Sequence, residues 1–305
     1  MNAACGRAMW SRPLGVSVGG CAGRASRHGA HRRHGRVAAG HADAARPAHL
    51  TVTPILDRPI DFSASPRSDN GMPPGRCEAE DAAYRRLLYH LADASFDIVH
   101  NNSLHYLVPG LADLLRTPIV HTLHTPPFPW LRDAHRRNES RRGAVVAVST
   151  SLAREWAGAA DHVILNGVAP QAQPDPFAER DRSGRPRAIW VGRIVPEKGA
   201  HLAIDAARRA GYDIDLYGPV QHSTYFESEV EPRLARQVRW HGHVDQRHAR
   251  RAMAAADVGL VTPLWDEPFG LTTAEMLAAG LPVAAFDRGA TSEILSPSTG
   301  RLSPP

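Results

Sequence analysis

One pattern constrains this chain more than any other: short apolar runs that end in polar residues alternate with stretches of helical spacing from Phe96 to Phe286. Strands are expected at Phe96–His100, Pro118–Thr122, Ala144–Ser149 and His162–Leu165, with helices at Ala82–Leu91, Leu104–Leu115 and Leu152–Ala159. After a Pro- and Gln-rich link, Ala169–Pro176, the alternation restarts. Strands are expected there at Ala188–Val191, Ile214–Tyr217, Val238–His241, Val258–Thr262 and Val283–Phe286, and helices at Ala200–Ala210, His248–Ala255 and Thr272–Ala279. Short apolar strands separated by crossover helices make parallel sheets. The expected fold class is therefore α/β, with two Rossmann-like, doubly wound domains facing a cleft, and the carboxyl ends of the strands are where such sheets hold ligands.

The expected divisions are a segment 1–49, an amino-terminal domain 50–168 and a carboxyl-terminal domain 169–305. A short strand is expected at Leu50–Leu56, followed by a Pro-, Asp-, Ser- and Gly-rich loop. The first 49 residues show neither a period of 2 nor one of 3.6, and they lack the apolar run of a signal peptide. They read as a basic, poorly ordered tail; the alternative is a segment translated from a wrong start or frame in place of a first strand.

Charge excludes one class. The isoelectric point near 9.5 suggests nucleic-acid binding, but residues 1–50 hold eight Arg against the single acid Asp43, while the chain as a whole is +5. The rest is close to neutral, with no aromatic RNA-binding signature or helix-turn-helix pattern, so no nucleic-acid partner is expected. No apolar stretch approaches the ~20 residues that span a bilayer. A cytoplasmic protein is expected, with peripheral membrane contact left open. Cys5, Cys21 and Cys77 match neither a zinc site nor a redox pair, and the seventeen His show no HExxH-type spacing. Neither a metal nor a cofactor is expected.

The strongest constellation is Asp266-Glu267-Pro268-Phe269-Gly270-Leu271-Thr272-Thr273-Ala274-Glu275, a loop entering a helix. Two carboxylates sit eight apart, beside the free amides of a helix start, which suit an anion such as a diphosphate. Thr272-x-x-Glu275 also fits a capping box, in which Glu275 would only satisfy an orphan amide; the spacing leaves both readings open. Glu267 could likewise be a solvated loop acid. Val191-Gly192-Arg193-Ile194-Val195-Pro196-Glu197-Lys198-Gly199 brings two cations to another strand end. Lys198 is the only lysine among 36 Lys and Arg, and a compact ammonium suits a phosphate contact; the bland reading is a compositional leftover on a solvated turn.

These motifs together resemble the family-4 retaining glycosyltransferases of the GT-B fold. The resemblance rests on the two Glu, on Gly192-Arg193 followed by Lys198, on Asn166-Gly167-Val168, and on Gly280-Leu281-Pro282-Val283 with Gly289 and Glu293. It covers about residues 96–303, and Tyr217-Gly218-Pro219 with Tyr225-Phe226-Glu227 resembles a bacterial subgroup. The resemblance implies that Arg193 and Lys198 neutralise the donor diphosphate as the glycosidic bond breaks. It assigns Glu267 to the hydroxyls of the transferred sugar and Glu275 to the ribose. Gly192 and the amides of Phe269, Gly270, Leu271 and Thr272 would hold sugar and phosphate, and the backbone near Gly242 and Val244 the base. His124 would lie by the transferred sugar, with His100 and Asn102 on the acceptor side; His121 is expected to be packed. The donor is then a nucleotide-diphosphate sugar, and the acceptor a small molecule, a glycan or a lipid-linked compound.

Relatives in this family open with a strand and a Gly-Gly loop at the donor phosphates. Gly19-Gly20 is present here, but that role is not carried over, because Arg-rich sequence follows. The amino terminus is expected to be truncated or frame-disrupted and the carboxyl terminus short. Hence a second hypothesis, a catalytically impaired nucleotide-sugar binder. An epimerase or phosphorylase on the same fold lacks particular support. Asp213-Ile214-Asp215 looks like a metal-binding DxD but falls on an expected strand, and is discounted.

Overall fold

The computed structural model describes residues 16–21, 50–54, 78–94, 96–137, 142–169 and 184–305. They form two compact units, one ending at Gly167 and the other starting at Val168, each built on its own six-stranded sheet. All but the first residue of the expected Ala169–Pro176 link lies outside the described residues.

The amino-terminal unit runs β1 (Val16–Cys21), β2 (Leu50–Pro54), α1 (Glu78–Asp93), β3 (Ile98–Asn101), α2 (Leu107–Gly110), β4 (Ile119–Leu123), α3 (Pro129–Arg137), β5 (Gly143–Ala147), α4 (Thr150–Glu155) and β6 (His162–Val163). Its strands lie in the order β2-β1-β3-β4-β5-β6. β3 to β6 are parallel, whereas β1 is antiparallel to both β2 and β3. Helix α1 turns Tyr84, Leu87, Leu88 and Leu91 toward Val99, Val108 and Ile119. That i, i+3, i+4, i+7 spacing is one face of a helix.

Three expectations change here. Residues 1–49 contain a strand: Val16 and Val18 alternate with small residues, over a run too short to stand out among the arginines. The remainder of 1–49 lies outside the described residues. The single helix expected over Leu104–Leu115 is instead α2 followed by a 3-10 turn at Ala112–Leu114, with Leu111 leaving helical geometry at φ −120°. Pro109 and Gly110 end the α-helical stretch, since proline lacks an N–H and glycine holds a helix weakly. Helix α3 was not expected. Its buried positions include His135 beside Leu131 and Ala134, so the apolar stripe is interrupted in the sequence.

The carboxyl-terminal unit runs β7 (Arg187–Val191), α5 (Ala200–Ala210), β8 (Asp213–Tyr217), α6 (Ser223–Tyr225), β9 (Val238–Trp240), α7 (Gln246–Ala255), β10 (Val258–Val261), α8 (Leu271–Ala278), β11 (Val283–Phe286), α9 (Thr291–Ile294) and β12 (Gly300–Ser303). The strand order is β12-β11-β10-β7-β8-β9, parallel throughout. Alternate residues of β7 serve opposite cores. Ala188 and Trp190 pack with Ala203, Ile204 and Ala207 of α5, while Ile189 and Val191 pack with Met253 of α7 and Met276 of α8. Burial on both faces explains why these strands read as continuous apolar runs. The winding reverses between β7 and β10, which makes their carboxyl ends the switch point where doubly wound sheets take ligands.

Candidate functional site

The turn after β7 carries the cations. Gly192 donates its N–H to Tyr217 O at 2.9 Å, and Ile194 donates to Pro219 O at 2.9 Å, so the turn is stitched to the end of β8. A 3-10 turn, Pro196–Lys198, then leads to Gly199 at φ 63°. Only glycine fits there: a Cβ would stand 2.1 Å from Thr262 O. Thr262, just past β10, donates its hydroxyl to Gly199 O at 2.8 Å, and Leu264 N–H donates to Glu197 O at 2.8 Å. The two loops at the switch point are therefore bolted together, and Lys198 is delivered to the second.

There Lys198 Nζ donates to Glu267 Oε1 and Oε2 at 2.8 and 2.6 Å. The structure thus brings together two of the three principal sequence candidates. Arg193 lies on the same turn but spends its guanidinium on Gln221 Oε1 at 2.8 Å and faces Glu197 at 3.7 Å. Trp265 went unnoticed in the sequence: its indole N–H donates to Glu267 Oε2 at 2.9 Å, and Lys198 Nζ lies 5.4 Å from its ring centroid. The signal was only an aromatic two residues before the first Glu. Gly289 lets the chain after β11 close over this loop, since a Cβ there would meet Glu267 N at 2.3 Å. Ala290 N–H donates to Glu267 O at 2.9 Å.

Helix α8 begins after Gly270 (φ 89°) without a side-chain cap. The amides of Leu271 and Thr272 therefore head a helix whose dipole favours an anion, with Phe269 buried just before them. The capping-box alternative is not what forms. Thr272 is already inside the helix, and Glu275 is buried at 6% exposure with Oε2 unpartnered. Burial raises its pKa to about 7, against the opposing pull of Arg250 and a hydrogen bond from Gln246.

Just past β9, Gly242 takes φ 71° and its carbonyl accepts from Gly218 N–H at 2.8 Å. Val244 packs partly buried against the second core. The DxD-like pair holds no common site: Asp215 is gripped by Arg239 at 2.9 and 3.1 Å and by His241 at 2.7 Å, and Asp213 faces Arg185 at 3.7 Å. Among the described residues no group of three or more His, Cys, Asp or Glu gathers as a metal site would require.

The amino-terminal unit places its candidates at the carboxyl ends of β3 and β4. His124 Nε2 donates to Asn102 Oδ1 at 2.9 Å, and His100 Nε2 pairs with Thr122 Oγ1 at 2.7 Å. Beside them Asn101 Nδ2 donates to His121 Nδ1 at 2.9 Å, while Asn101 Oδ1 accepts from Ser103 N–H and Oγ–H. That amide orientation fixes the His121 proton on Nε2, which has no hydrogen-bond acceptor. The ring meets His135 edge-on, centroids 5.0 Å apart. Burial lowers His121 to about 3, with His135 and His100 adding to the effect, and burial lowers His135 to about 4.

Comparison with known proteins bears on the family and the fold. Residues 36–172 match the family model Glycosyltransferase Family 4, and residues 172–305 match Glycosyl transferases group 1. A phosphatidyl-myo-inositol mannosyltransferase of Mycobacterium tuberculosis is 31% identical over 244 residues, covering 70% of this chain and 61% of the relative. A glycogen synthase of the same species is 34% identical over 146 residues, covering 45% of this chain and 34% of the relative. The chain thus spans from about a third to three-fifths of the length of these curated relatives. Among solved structures, Anabaena HepE in complex with UDP and glucose superposes with a TM-score of 0.62 at 22% identity, covering 76% of this chain and 70% of that one. A glycosyltransferase involved in avilamycin A biosynthesis gives 0.59 at 22% identity, covering 72% and 64%. These two likenesses carry the fold, GT-B, and the two family models match successive parts of the chain, Glycosyltransferase Family 4 first and Glycosyl transferases group 1 second.

Proposed function

We propose that the chain transfers a sugar from a nucleotide-diphosphate sugar to an acceptor hydroxyl with retention of anomeric configuration and without a metal. The observation that carries this reading is the Lys198–Glu267 pair at the switch point of the carboxyl-terminal sheet, in the loop that leads to the uncapped start of α8. Lys198, Arg193 and the first amides of α8 neutralise the diphosphate as the glycosidic bond lengthens, which is electrostatic catalysis. Glu267 accepts from hydroxyls of the transferred sugar and Glu275 from the ribose. The acceptor oxygen attacks the anomeric carbon on the face that the diphosphate leaves, and its proton passes to a phosphate oxygen of the leaving group. A carboxylate nucleophile is not needed, unlike in a retaining glycosidase. His124, held by Asn102, is the amino-terminal unit's own candidate for contact with a sugar hydroxyl. The structural neighbour solved with UDP and glucose supports a nucleotide-sugar donor. A cytoplasmic setting belongs to the same proposal, since such donors are made there.

A second reading is a nucleotide-sugar binder that does not transfer. The antiparallel β1 favours it, because Gly19 and Gly20 pair with Val52 and Thr51 inside a sheet and make no loop toward a phosphate. Incubation with UDP-, GDP- and ADP-sugars, with and without EDTA, separates the two. Nucleoside diphosphate release that EDTA leaves intact is expected. Binding without release selects the second reading, and a strict metal requirement overturns the phosphate clamp.

A further inference from the structure

Lys198 and Glu267 are bonded to each other, yet the proposed function needs them on different parts of one substrate. The ammonium donates to both carboxylate oxygens at 2.8 and 2.6 Å, with the two side chains only 22% and 16% exposed. A charge-assisted pair shielded from water in this way is stronger than a surface one. Trp265 touches both members. Its N–H occupies Glu267 Oε2 at 2.9 Å, and its ring lies beside Nζ at 5.4 Å. The contacts are tied together by Thr262 and Gly199, by Leu264 and Glu197, and by Gly289 packed on Glu267.

We propose that Glu267 competes with the donor diphosphate for Lys198, and that Trp265 is the positioning residue that sets the strength of that competition. This rests on the nucleotide-sugar reading of the site. Entry of a diphosphate offers Lys198 more negative charge than one carboxylate does, so the ammonium swings to the phosphate. Glu267 is released toward the sugar, whose hydroxyls replace the lost donors. Once the sugar has gone to the acceptor, Glu267 has lost those donors and draws Lys198 back, which loosens the nucleoside diphosphate product. The indole N–H stays on the carboxylate in both arrangements. It is a neutral donor that partly satisfies Glu267 and so tempers its pull on Lys198.

Isothermal titration of the full chain with UDP, GDP and ADP tests this, taking whichever binds most tightly as the probe. Glu267→Gln is expected to bind the probe about tenfold more tightly, the order of one charge-assisted hydrogen bond, while turnover of the matching nucleotide sugar falls. Trp265→Phe keeps a ring beside Nζ but loses the N–H, and is expected to bind the probe roughly threefold more weakly, the order of one neutral hydrogen bond. In the Glu267→Gln background the same Trp265→Phe change is expected to have no effect. If Glu267→Gln does not fold, Glu267→Asp, which moves the carboxylate back from Nζ, is expected to tighten binding by a smaller factor. Equal or weaker binding in the folded Glu267 variant overturns the competition, since Glu267 would then orient Lys198 for the phosphate. A Trp265→Phe effect that persists in the double variant overturns the positioning role. Wild-type protein that binds none of the three nucleoside diphosphates defeats the donor reading itself, which is a different failure.

Discussion

The two units place polar side chains at the carboxyl ends of their central parallel strands, and they satisfy them with different chemistry. In the carboxyl-terminal unit charge meets charge: Lys198 donates to Glu267, and Arg193, which donates to Gln221, also faces Glu197. In the amino-terminal unit they are neutral: His124 on Asn102, His100 on Thr122, and His121 on Asn101. A site that holds its own charges in balance can exchange them for a charged ligand. One made of imidazoles, amides and hydroxyls suits a ligand recognised by its hydroxyls. Under the proposed function the first would take the donor diphosphate and the second the acceptor.

The sharpest way to break the comparison is Lys198→Ala. Loss of one charge-assisted contact, about 1.5 to 3 kcal/mol, is expected to lower nucleoside diphosphate release at least about tenfold, and unchanged turnover would remove the charged half of the contrast. Gly199→Ala strikes the backbone beneath the same lysine. With φ at 63° and a Cβ 2.1 Å from Thr262 O, it is expected to cost roughly 1 to 3 kcal/mol in chemical denaturation; a silent change would show that the two loops are not bolted as described. Asn101→Ala tests the neutral half. It strands His121 Nδ1 in the core, and a buried orphan of that kind is worth about 1 to 3 kcal/mol, measured in the same experiment.

A pH comparison sharpens the contrast with the smallest effect per step. His105, His121 and His135 have folded values of about 4, 3 and 4, against 6.5 in an unfolded chain. Burial is the leading cause in each, partly offset at His105 by Asp81. The native amino-terminal unit therefore binds fewer protons than the unfolded chain between those values. The stability these rings contribute is complete above pH 6.5 and drains away as pH falls through that window. Glu275 runs the other way, with a folded value of about 7 against 4.5. Its contribution is complete below pH 4.5 and is lost as pH rises through 7. A single group can change stability by at most about 1.4 kcal/mol per pH unit. Hydrogen exchange at pH 5 and 7.5, corrected for intrinsic rates, should show the amino-terminal core less protected at pH 5. Equal protection at both values would mean the rings are not held neutral.

Much of the carboxyl-terminal unit was legible because its central strands β7 and β8 are buried on both faces and helix α5 carries an unbroken apolar stripe. Val283–Phe286 and Ala200–Ala210 have the bounds the sequence suggested. Helix α3 was hidden by a histidine at a core position, and β1 by its brevity among arginines. Burial of His135 depends on neighbours that no local pattern displays. At the site, sequence spacing singled out Lys198, Arg193 and Glu267 but was silent on their partners.

Residue order by itself determined the alternation of strands and helices, the break between the two halves, and the glycines and carboxylates that mark the switch-point loops, because each is written in local spacing and backbone preference. Only the folded chain decided that Lys198 meets Glu267 under Trp265, that Arg193 meets Gln221, and that Glu275 is buried and no helix cap. Those outcomes depend on groups up to 69 positions apart being brought within hydrogen-bond reach, and on how much water the surrounding side chains leave beside a charge.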